Sequence, residues 1–572
     1  MSCAIGQESA RTTKEFREYV ASKLSQIPGE KLDEIVAAVD KNSDGVVDEN
    51  EFAGRMAAIQ SAMRGDGDGG APQNRRDRRP EAKSEPIVTS DYMDGAPVTI
   101  PQLSPGNAAT VLLIAGDELA EAWRPYAEWK TQQGRATKII SVRQIARSFE
   151  AASIQEKIRL CVRRHVEQHG TKWVILGGDS EPGGGSVPGG HTTYHTQEPQ
   201  GIPTDIVYLS PTNWDADGDG RHGEWEDDRD AITYPDGSVG LGHIPVRTAE
   251  DVAAFTDKVI AYDSQYPEGD FANQMLFTCT ESMATAKVRA SWDKHIDKLW
   301  GGQMQRYFPD SSEPTVTRVQ SALSDGSASK MHIHGHGTIG AWQLSDEDFT
   351  GKHVADLSNR GVYPLITTVS CNTGEFDSQR DPSIVESMLR ASSAGSVAIV
   401  APIRTGKMHL HDMPNDFQLM IKEGKLDGTT MVMTGYWMHG LGKQRTTGEA
   451  LMLAKADLIE DARKTARYHL CLCELNLLGD PTLDFRAKAP RRPMLEAPES
   501  VATGRQTIEV QTDAPQATVT LRQGTGLLEI TGPGDDGITR FEVEITKTDP
   551  IDVTVSGPDL NTHTAKVAVR SE

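Results

Sequence analysis

The alternation of apolar and polar positions divides the chain into four stretches. Residues 12–62 carry apolar residues at three- and four-residue spacing in EFREYVASKL, KLDEIVAAV and EFAGRMAAI, which predicts helices. Residues 64–86, RGDGDGGAPQNRRDRRPEAKSEP, hold almost nothing to bury and read as a linker. From about residue 108 the period changes. Short apolar runs at VLLIA (111–115), ATKIISV (136–142) and KWVILGG (172–178) alternate with helical segments at 117–133 and 152–168, which predicts a parallel sheet. A second α/β series contains QMLFTCTE (274–281), KMHIHGHG (330–337), PLITTVSC (364–371) and GSVAIVAP (395–402). Beyond about residue 498 the helices stop. IEVQT, ATVTLRQ, LLEIT, RFEVEITK and DVTVSG are short alternating strands between Gly, Pro and Asp turns, the pattern of a small β-sandwich. The expected division is a helical segment over 1–63, a linker over 64–95, α/β units over 96–268 and 269–492, and a β-sandwich over 493–572.

Composition narrows the function classes. Of 572 residues, 37% are hydrophobic and 25% charged, a globular rather than a disordered composition. The apolar runs are far shorter than the ~20 residues of a membrane span, so none is expected. The formal charge of −23, from 82 acidic and 59 basic residues, repels phosphate backbones, so nucleic acid is not an expected partner. It suits calcium binding, and it is equally what a solvated surface presents. Six cysteines exclude a disulfide scaffold, and Cys471-x-Cys473 has no second pair at zinc spacing. Residues 1–30 contain no apolar signal-peptide core, while the opening MSCAIGQESA is compatible with the remnant of a trimmed export signal.

Two acidic loops carry metal-ligand spacing. DKNSDGVVDENE, residues 40–51, matches the EF-hand loop between two predicted helices. Asp40, Asn42 and Asp44 stand at positions 1, 3 and 5, and Gly45 makes the turn. Val46 offers a backbone carbonyl at position 7, Asp48 stands at position 9, and Glu51 closes the shell. DADGDGRHGEWE, residues 215–226, places Asp215, Asp217 and Asp219 at positions 1, 3 and 5, Arg221 at position 7 and Glu226 at position 12, with Glu224 as a substitute. No helix precedes it, so it is a loop insertion rather than an EF-hand. In both loops carboxylates repel one another without an ion, so Ca2+ would rigidify the fold rather than take part in chemistry. The alternative for the second loop is an acidic surface turn.

Two strands end in residues suited to catalysis. KMHIHGHG puts His332, His334 and His336 on one face of a strand by period-two alternation, with Gly337 following. PLITTVSC runs into Cys371, 35 residues after His336, which leaves room for a helix and a return strand. Both then lie at C-terminal strand ends, where open α/β sheets place their ligands. A thiolate there attacks a carbonyl carbon and an imidazole protonates the leaving nitrogen. The amides of Gly337 and Cys371 are natural oxyanion donors. On spacing alone, a strand-end cysteine is more often a small buried residue. His332 and His334 are otherwise packing or surface residues on the strand, or form a zinc site together with His336.

Across residues 108–490, AEAWRPYAEWKTQQG (120–134), KWVILGGD (172–179), the NWDADGDG loop, GHGTIGAW (335–342), VSCNTGEF (369–376), SVAIVAPI (396–403) and NLLGDPTL (476–483) occur in an order that resembles the gingipain family of caspase-like cysteine peptidases. The resemblance implies two stacked caspase-like α/β subdomains, followed by an immunoglobulin-like β-sandwich. It also implies a cysteine endopeptidase acting on protein or peptide substrates. It puts the nucleophile on Cys371, the histidine on His336 and the imidazole-orienting glutamate on Glu281, after the strand LFTCTE. Asp293, twelve residues further on, falls where arginine-specific members hold the P1 guanidinium. Arg404 and Lys407 depart from the family near that pocket and would disfavour a basic P1 side chain. Arg75, Arg76 and Arg78 in the linker form a self-processing site if the enzyme cuts after basic residues; Arg79 precedes Pro80 and suits this poorly. A secreted, periplasmic or cell-surface location is expected. The competing reading is an inactive peptidase scaffold serving as a calcium-dependent adhesion protein.

Overall fold

The computed structural model describes residues 11–12, 14, 17, 36, 46–47 and 110–571, with interruptions at 181–185, 196–197, 235, 281–302, 308–312, 379–381, 407–427, 442, 444, 525 and 535. The chain forms two compact units, Met1–Pro80 and Glu81–Glu572. In the first, Val46–Val47 pairs antiparallel with Arg11–Thr12. The expected ligands Asp40, Asn42, Asp44, Asp48 and Glu51, and the linker over 64–95, lie outside the described residues.

The second unit is built on one ten-stranded sheet. Its strands are β1 (Val111–Ala115), β2 (Thr137–Ser141), β3 (Trp173–Gly177), β4 (Gly240–Ile244), β5 (Gln274–Cys279), β6 (Gln303–Tyr307), β7 (Lys330–His334), β8 (Leu365–Thr368), β9 (Ala398–Pro402) and β10 (Leu475–Gly479). They lie in the order β6-β5-β7-β8-β9-β10-β4-β3-β1-β2. Strands β1, β7, β8 and β9 are buried along their whole length, as strands covered by helices on both faces must be. The two α/β series are therefore halves of a single sheet. Neighbouring pairs are parallel except at β9/β10, where the direction reverses. Strand β10 comes from the second series but runs with the first. A continuous hydrophobic core extends through both halves.

The helices begin and end on local signals. Helix α1 (Arg124–Gln132) starts with proline in its first turn. Helix α2 (Val142–Ser148) opens on the Ser141/Gln144 capping box. Helix α3 (Ile154–His169) is capped by Ser153 and ends on Gly170 at φ +66°. Helix α4 (Ala249–Ser264) opens on a Thr248/Asp251 box, and α5 (Val316–Ser324) is capped by Thr315. Helix α6 (Ile384–Arg390) opens on Ser383/Glu386. Among the described residues no helix is long and apolar enough to cross a membrane.

The C-terminal region is all-β. A five-stranded sheet contains Ser500–Ala502, His563–Arg570, Ile551–Ser556, Thr518–Gln523 and Gly526–Thr531, and a two-stranded sheet pairs Gly504–Gln511 with Ile538–Ile545. Ile508, Val510 and Phe541 from the smaller sheet share one core with Val519, Leu521, Val553 and Val555 from the larger. The five-stranded sheet docks on the end of α1. The Thr520 and Ser556 hydroxyls donate to the carbonyls of Gln132 (2.5 Å) and Gln133 (2.8 Å), satisfying acceptors that a helix C-terminus leaves open. Gly134 follows at φ +86°, and a Cβ there would meet Thr518 Cγ2 at 2.5 Å, so only glycine admits this approach. Beside this contact, Lys130 is fully buried between Asp263 (2.9 Å) and Asp480 (3.1 Å). Burial would raise the Asp263 carboxyl, but Lys130 overrides it and holds the group below its ordinary range.

Candidate active site

Strand β7 carries the histidine series, and its two halves do different things. His332 and His334 are buried within the sheet. His332 Nδ1 shares a 2.7 Å hydrogen bond with Thr367 Oγ1, which also accepts from Trp437 Nε1 at 3.0 Å, and its ring stacks on Phe277. Burial pushes the His332 imidazole well below its usual pKa, so it stays neutral. These are packing residues. The acid-rich or histidine-rich groups able to gather round one ion, among the described residues, do not include them. The strand ends at His334. Gly335 makes the bend, and His336 stands half-buried just beyond.

Strand β8 is the parallel neighbour of β7, with His332 opposite Thr367. It continues through Val369 and Ser370 into a turn at Cys371–Gly374, where Asn372 adopts φ +63°, a conformation asparagine tolerates. The turn is tied down on both sides. The Asn372 and Gly374 amides donate to the carbonyls of Arg404 (2.8 Å) and Pro402 (3.0 Å), and Asn372 Nδ2 donates to Glu375 Oε2 at 2.7 Å. Cys371 is partly exposed, with its sulfur 4.0 Å from the Gly406 carbonyl.

The histidine bend and the cysteine turn are held against each other. Ser370 Oγ donates to the Gly335 carbonyl at 3.0 Å. A Cβ on Gly337 would lie 2.6 Å from Thr373 Cγ2 and 2.7 Å from Ser370 Cβ, so the two segments meet through a glycine backbone. The start of α6 reaches both: Ile384 N–H donates to Ile339 O (2.7 Å) and Val385 N–H to Thr373 O (3.4 Å). Gly337 also begins an antiparallel pairing with Trp342. Gln343 N–H donates to His336 O, so 336/343 is the hydrogen-bonded pair. Gly337/Trp342 is then the non-hydrogen-bonded one, and the Gly337 N–H turns away from the partner strand.

Glu281, Asp293 and Lys407 lie outside the described residues. The strand before Glu281 is described: β5 flanks β7 on the side opposite β8, with Cys279 opposite His334. Arg404 corrects an expectation. It is buried, its guanidinium binds Asp377 through two bonds of 2.8 and 2.6 Å, and its Nε donates to Gly201 O at 3.1 Å. Its charge is neutralised inside the protein, so it gives no reason to reject a basic P1 residue.

The second acidic loop converges on a residue outside its twelve-position template. Ligand oxygens of Asp215, Asp217 and Asp228 lie within 4.8 Å of one another. Asp219 and Glu226 are not in that group; Asp219 instead accepts from the Arg221 amide at 2.7 Å, while the Arg221 guanidinium pairs with Glu224 at 2.5 Å. Asp228 is the last residue of a one-turn helix, Trp225–Asp228, and accepts from the amides of Ala216, Gly223 and Glu224. Burial nevertheless pushes its carboxyl up, the direction expected of a clustered acid. Three converging hard oxygens fit Ca2+.

A mostly parallel sheet flanked by helices, with a cysteine and a histidine at neighbouring strand ends, defines a caspase-like α/β protein. The Peptidase family C25 model matches residues 104–486, and the chain belongs to that family of gingipain-like cysteine peptidases. Gingipain R2 of Porphyromonas gingivalis is 22% identical over 450 residues, covering 76% of this chain and 54% of the relative. Gingipain R1 of the same organism is 22% identical over 434 residues, 72% of this chain and 38% of the relative. The chain thus spans about half the length, or less, of the curated relatives it matches. Among solved structures, the Arg-specific cysteine proteinase gingipain R superposes with a TM-score of 0.60 at 20% identity, covering 83% of this chain and all of the other. The complex of P. gingivalis RgpB pro- and mature domains gives 0.60 at 21% identity, covering 80% and 100%. These likenesses show the shared fold.

Proposed function

We propose that the chain is a calcium-stabilised cysteine endopeptidase. The observation that carries this is the Ser370–Gly335 hydrogen bond, which locks the segment holding His336 beside the turn holding Cys371. In this reading the Cys371 thiolate attacks the scissile carbonyl and forms a thioester as His336 protonates the leaving amine. Water then hydrolyses the thioester, with His336 as base. The amides of Gly337 and Cys371 take the oxyanion, a role that the outward turn of the Gly337 N–H supports. Glu281 orients the imidazole. Asp293 receives a basic P1 side chain, and the neutralisation of Arg404 removes one obstacle to this. Ca2+ binds the EF-hand loop through Asp40, Asn42, Asp44, the Val46 carbonyl, Asp48 and Glu51. It binds the second loop through Asp215, Asp217 and Asp228. Loops of this type in extracellular modules fill at about 10⁻⁴–10⁻³ M calcium, which accords with an exported enzyme. Cleavage after Arg75, Arg76 or Arg78 would release the N-terminal segment.

The test is labelling with a peptidyl chloromethyl ketone, together with hydrolysis of a mixed peptide library. Wild type should cleave peptides and carry the label on Cys371, and Cys371→Ala should do neither. A folded wild type that cleaves nothing and leaves Cys371 unlabelled would sink the reading. The same library reports P1 preference, and mass spectrometry of the purified chain with and without calcium reports self-processing.

A further inference from the structure

Six residues after Cys371, the chain places Asp377 against a guanidinium that belongs to a different strand end. Arg404 is 2% exposed and binds Asp377 in the two-bond fork geometry, Nη1 to Oδ1 at 2.8 Å and Nη2 to Oδ2 at 2.6 Å. Its Nε donates to Gly201 O in the Glu198–Pro203 strand, and its own backbone carbonyl accepts the Asn372 amide at 2.8 Å. One residue thus grips three segments: the turn that carries Cys371, the hairpin strand at 198–203, and the end of β9. The chain beyond Arg404 then passes the sulfur, with Gly406 O at 4.0 Å from Cys371 Sγ. A buried arginine costs several kcal/mol to desolvate unless its hydrogen bonds are met. An apolar side chain would fill the same space without that penalty, so packing alone does not account for an arginine here.

We infer that Arg404 and Asp377 are positioning residues for the peptidase reaction: their ion pair fixes Cys371, and the 404–406 segment flanking its sulfur, in attacking geometry. This rests on Cys371 being the nucleophile. Neither side chain touches the reacting atoms. The pair acts through the Asn372 amide at one end of the turn and through Asp377 at the other. A displacement of about 1 Å in such a site costs on the order of a hundredfold in rate. The effect should fall on kcat, since the pair does not bind substrate.

The test compares Arg404→Lys, which keeps the charge and loses the fork, and Asp377→Asn, which keeps the shape and loses the charge. Active sites are counted by titration with a peptidyl chloromethyl ketone and folding is followed by circular dichroism. Asp377→Glu serves as the conservative rescue. For both variants kcat per titrated site should fall about tenfold or more, with KM changed less than about twofold and a native spectrum. Asp377→Glu should recover a measurable part of the loss. Unchanged kcat per titrated site in either variant overturns the inference, and so does activity lost only in step with the folded signal. If the titrant fails to label wild type, it is the cysteine peptidase reading that has failed.

Discussion

The Ser370 hydroxyl donates to the Gly335 carbonyl across 3.0 Å, joining the segment that ends in Cys371 to the one that begins with His336. Ser370 is fully buried, so the bond is shielded from water and competes with nothing. Ser370→Ala leaves that carbonyl without this donor at a cost of about 1–3 kcal/mol. It also loosens the two segments against each other. The expected outcome is a lower kcat, measured on a peptide substrate, that exceeds the loss explained by the folded fraction at assay temperature.

Gly337 gives a sharper test of the same contact. A methyl group there collides with Thr373 Cγ2 and Ser370 Cβ, so Gly337→Ala must push the histidine bend away from the cysteine turn. Activity should fall by about a hundredfold on the scale of a 1 Å misplacement. Adding Thr373→Ser removes Cγ2 while keeping the hydroxyl that donates to Ser370 O at 2.8 Å, and should restore part of the rate. No rescue by the double variant would mean that the clash is not the cause.

The acidic loop predicts unequal carboxylates. Asp228 converges with Asp215 and Asp217, whereas Glu226 stands outside the group. Asp228→Asn should weaken calcium binding by tenfold or more, roughly the scale on which a metal site loses affinity when its ligand set is disturbed, and Glu226→Gln should leave it near wild type. At a calcium concentration 100 times Kd, bound ion stabilises the fold by about 2.7 kcal/mol, so EGTA should lower Tm and the Asp228 variant should respond less. Calorimetry with and without chelator reads both. Equal effects of the two substitutions would refute the assignment.

Asp263 links stability to pH. Burial alone would raise its pKa, but Lys130 lowers it below the unfolded value. A carboxyl depressed in this way contributes stability above its unfolded pKa, near 4, and loses it as pH falls through the lower folded value. Asp263→Asn strands Lys130 beside one remaining carboxylate and should cost about 3–5 kcal/mol at neutral pH. The gap to wild type should close as pH drops below about 4. Urea unfolding at several pH values checks this, and a gap that widens in acid would contradict it.

Sequence pattern located β1, β3 and β9 because their apolar runs are continuous, and β7 because Met331 and Ile333 alternate with its histidines. Strand β4 escaped it. Its sequence GLGHI is broken by glycines that the structure requires: a Cβ on Gly242 would meet Gly479 O at 2.5 Å, and one on Gly240 would meet Trp173 Cδ1 at 2.8 Å. His243 is equally misleading in sequence, being buried with its nitrogens bonded to Asp205 and Gly178. At the site, the neighbouring positions of β7 and β8 were legible from the spacing of GHG and SCN. Asp228 was not, since it lies beyond the last EF-hand position and reaches the cluster only from the end of a one-turn helix. Arg404 read as a charge near the P1 pocket that would repel a basic side chain, because a sequence shows a charge without its partner, and Asp377 is 27 residues away.

The reversal between β9 and β10 has a consequence for synthesis. Strands β1 to β4 leave the ribosome early, yet β4 gains its second neighbour only when residues 475–479 emerge, some 230 residues later. Until then the nascent chain carries an open strand edge, the kind of template on which other chains add. A product terminated before residue 475 would keep two such edges exposed for good. Incomplete copies should therefore be recovered as aggregates rather than as working half-enzymes.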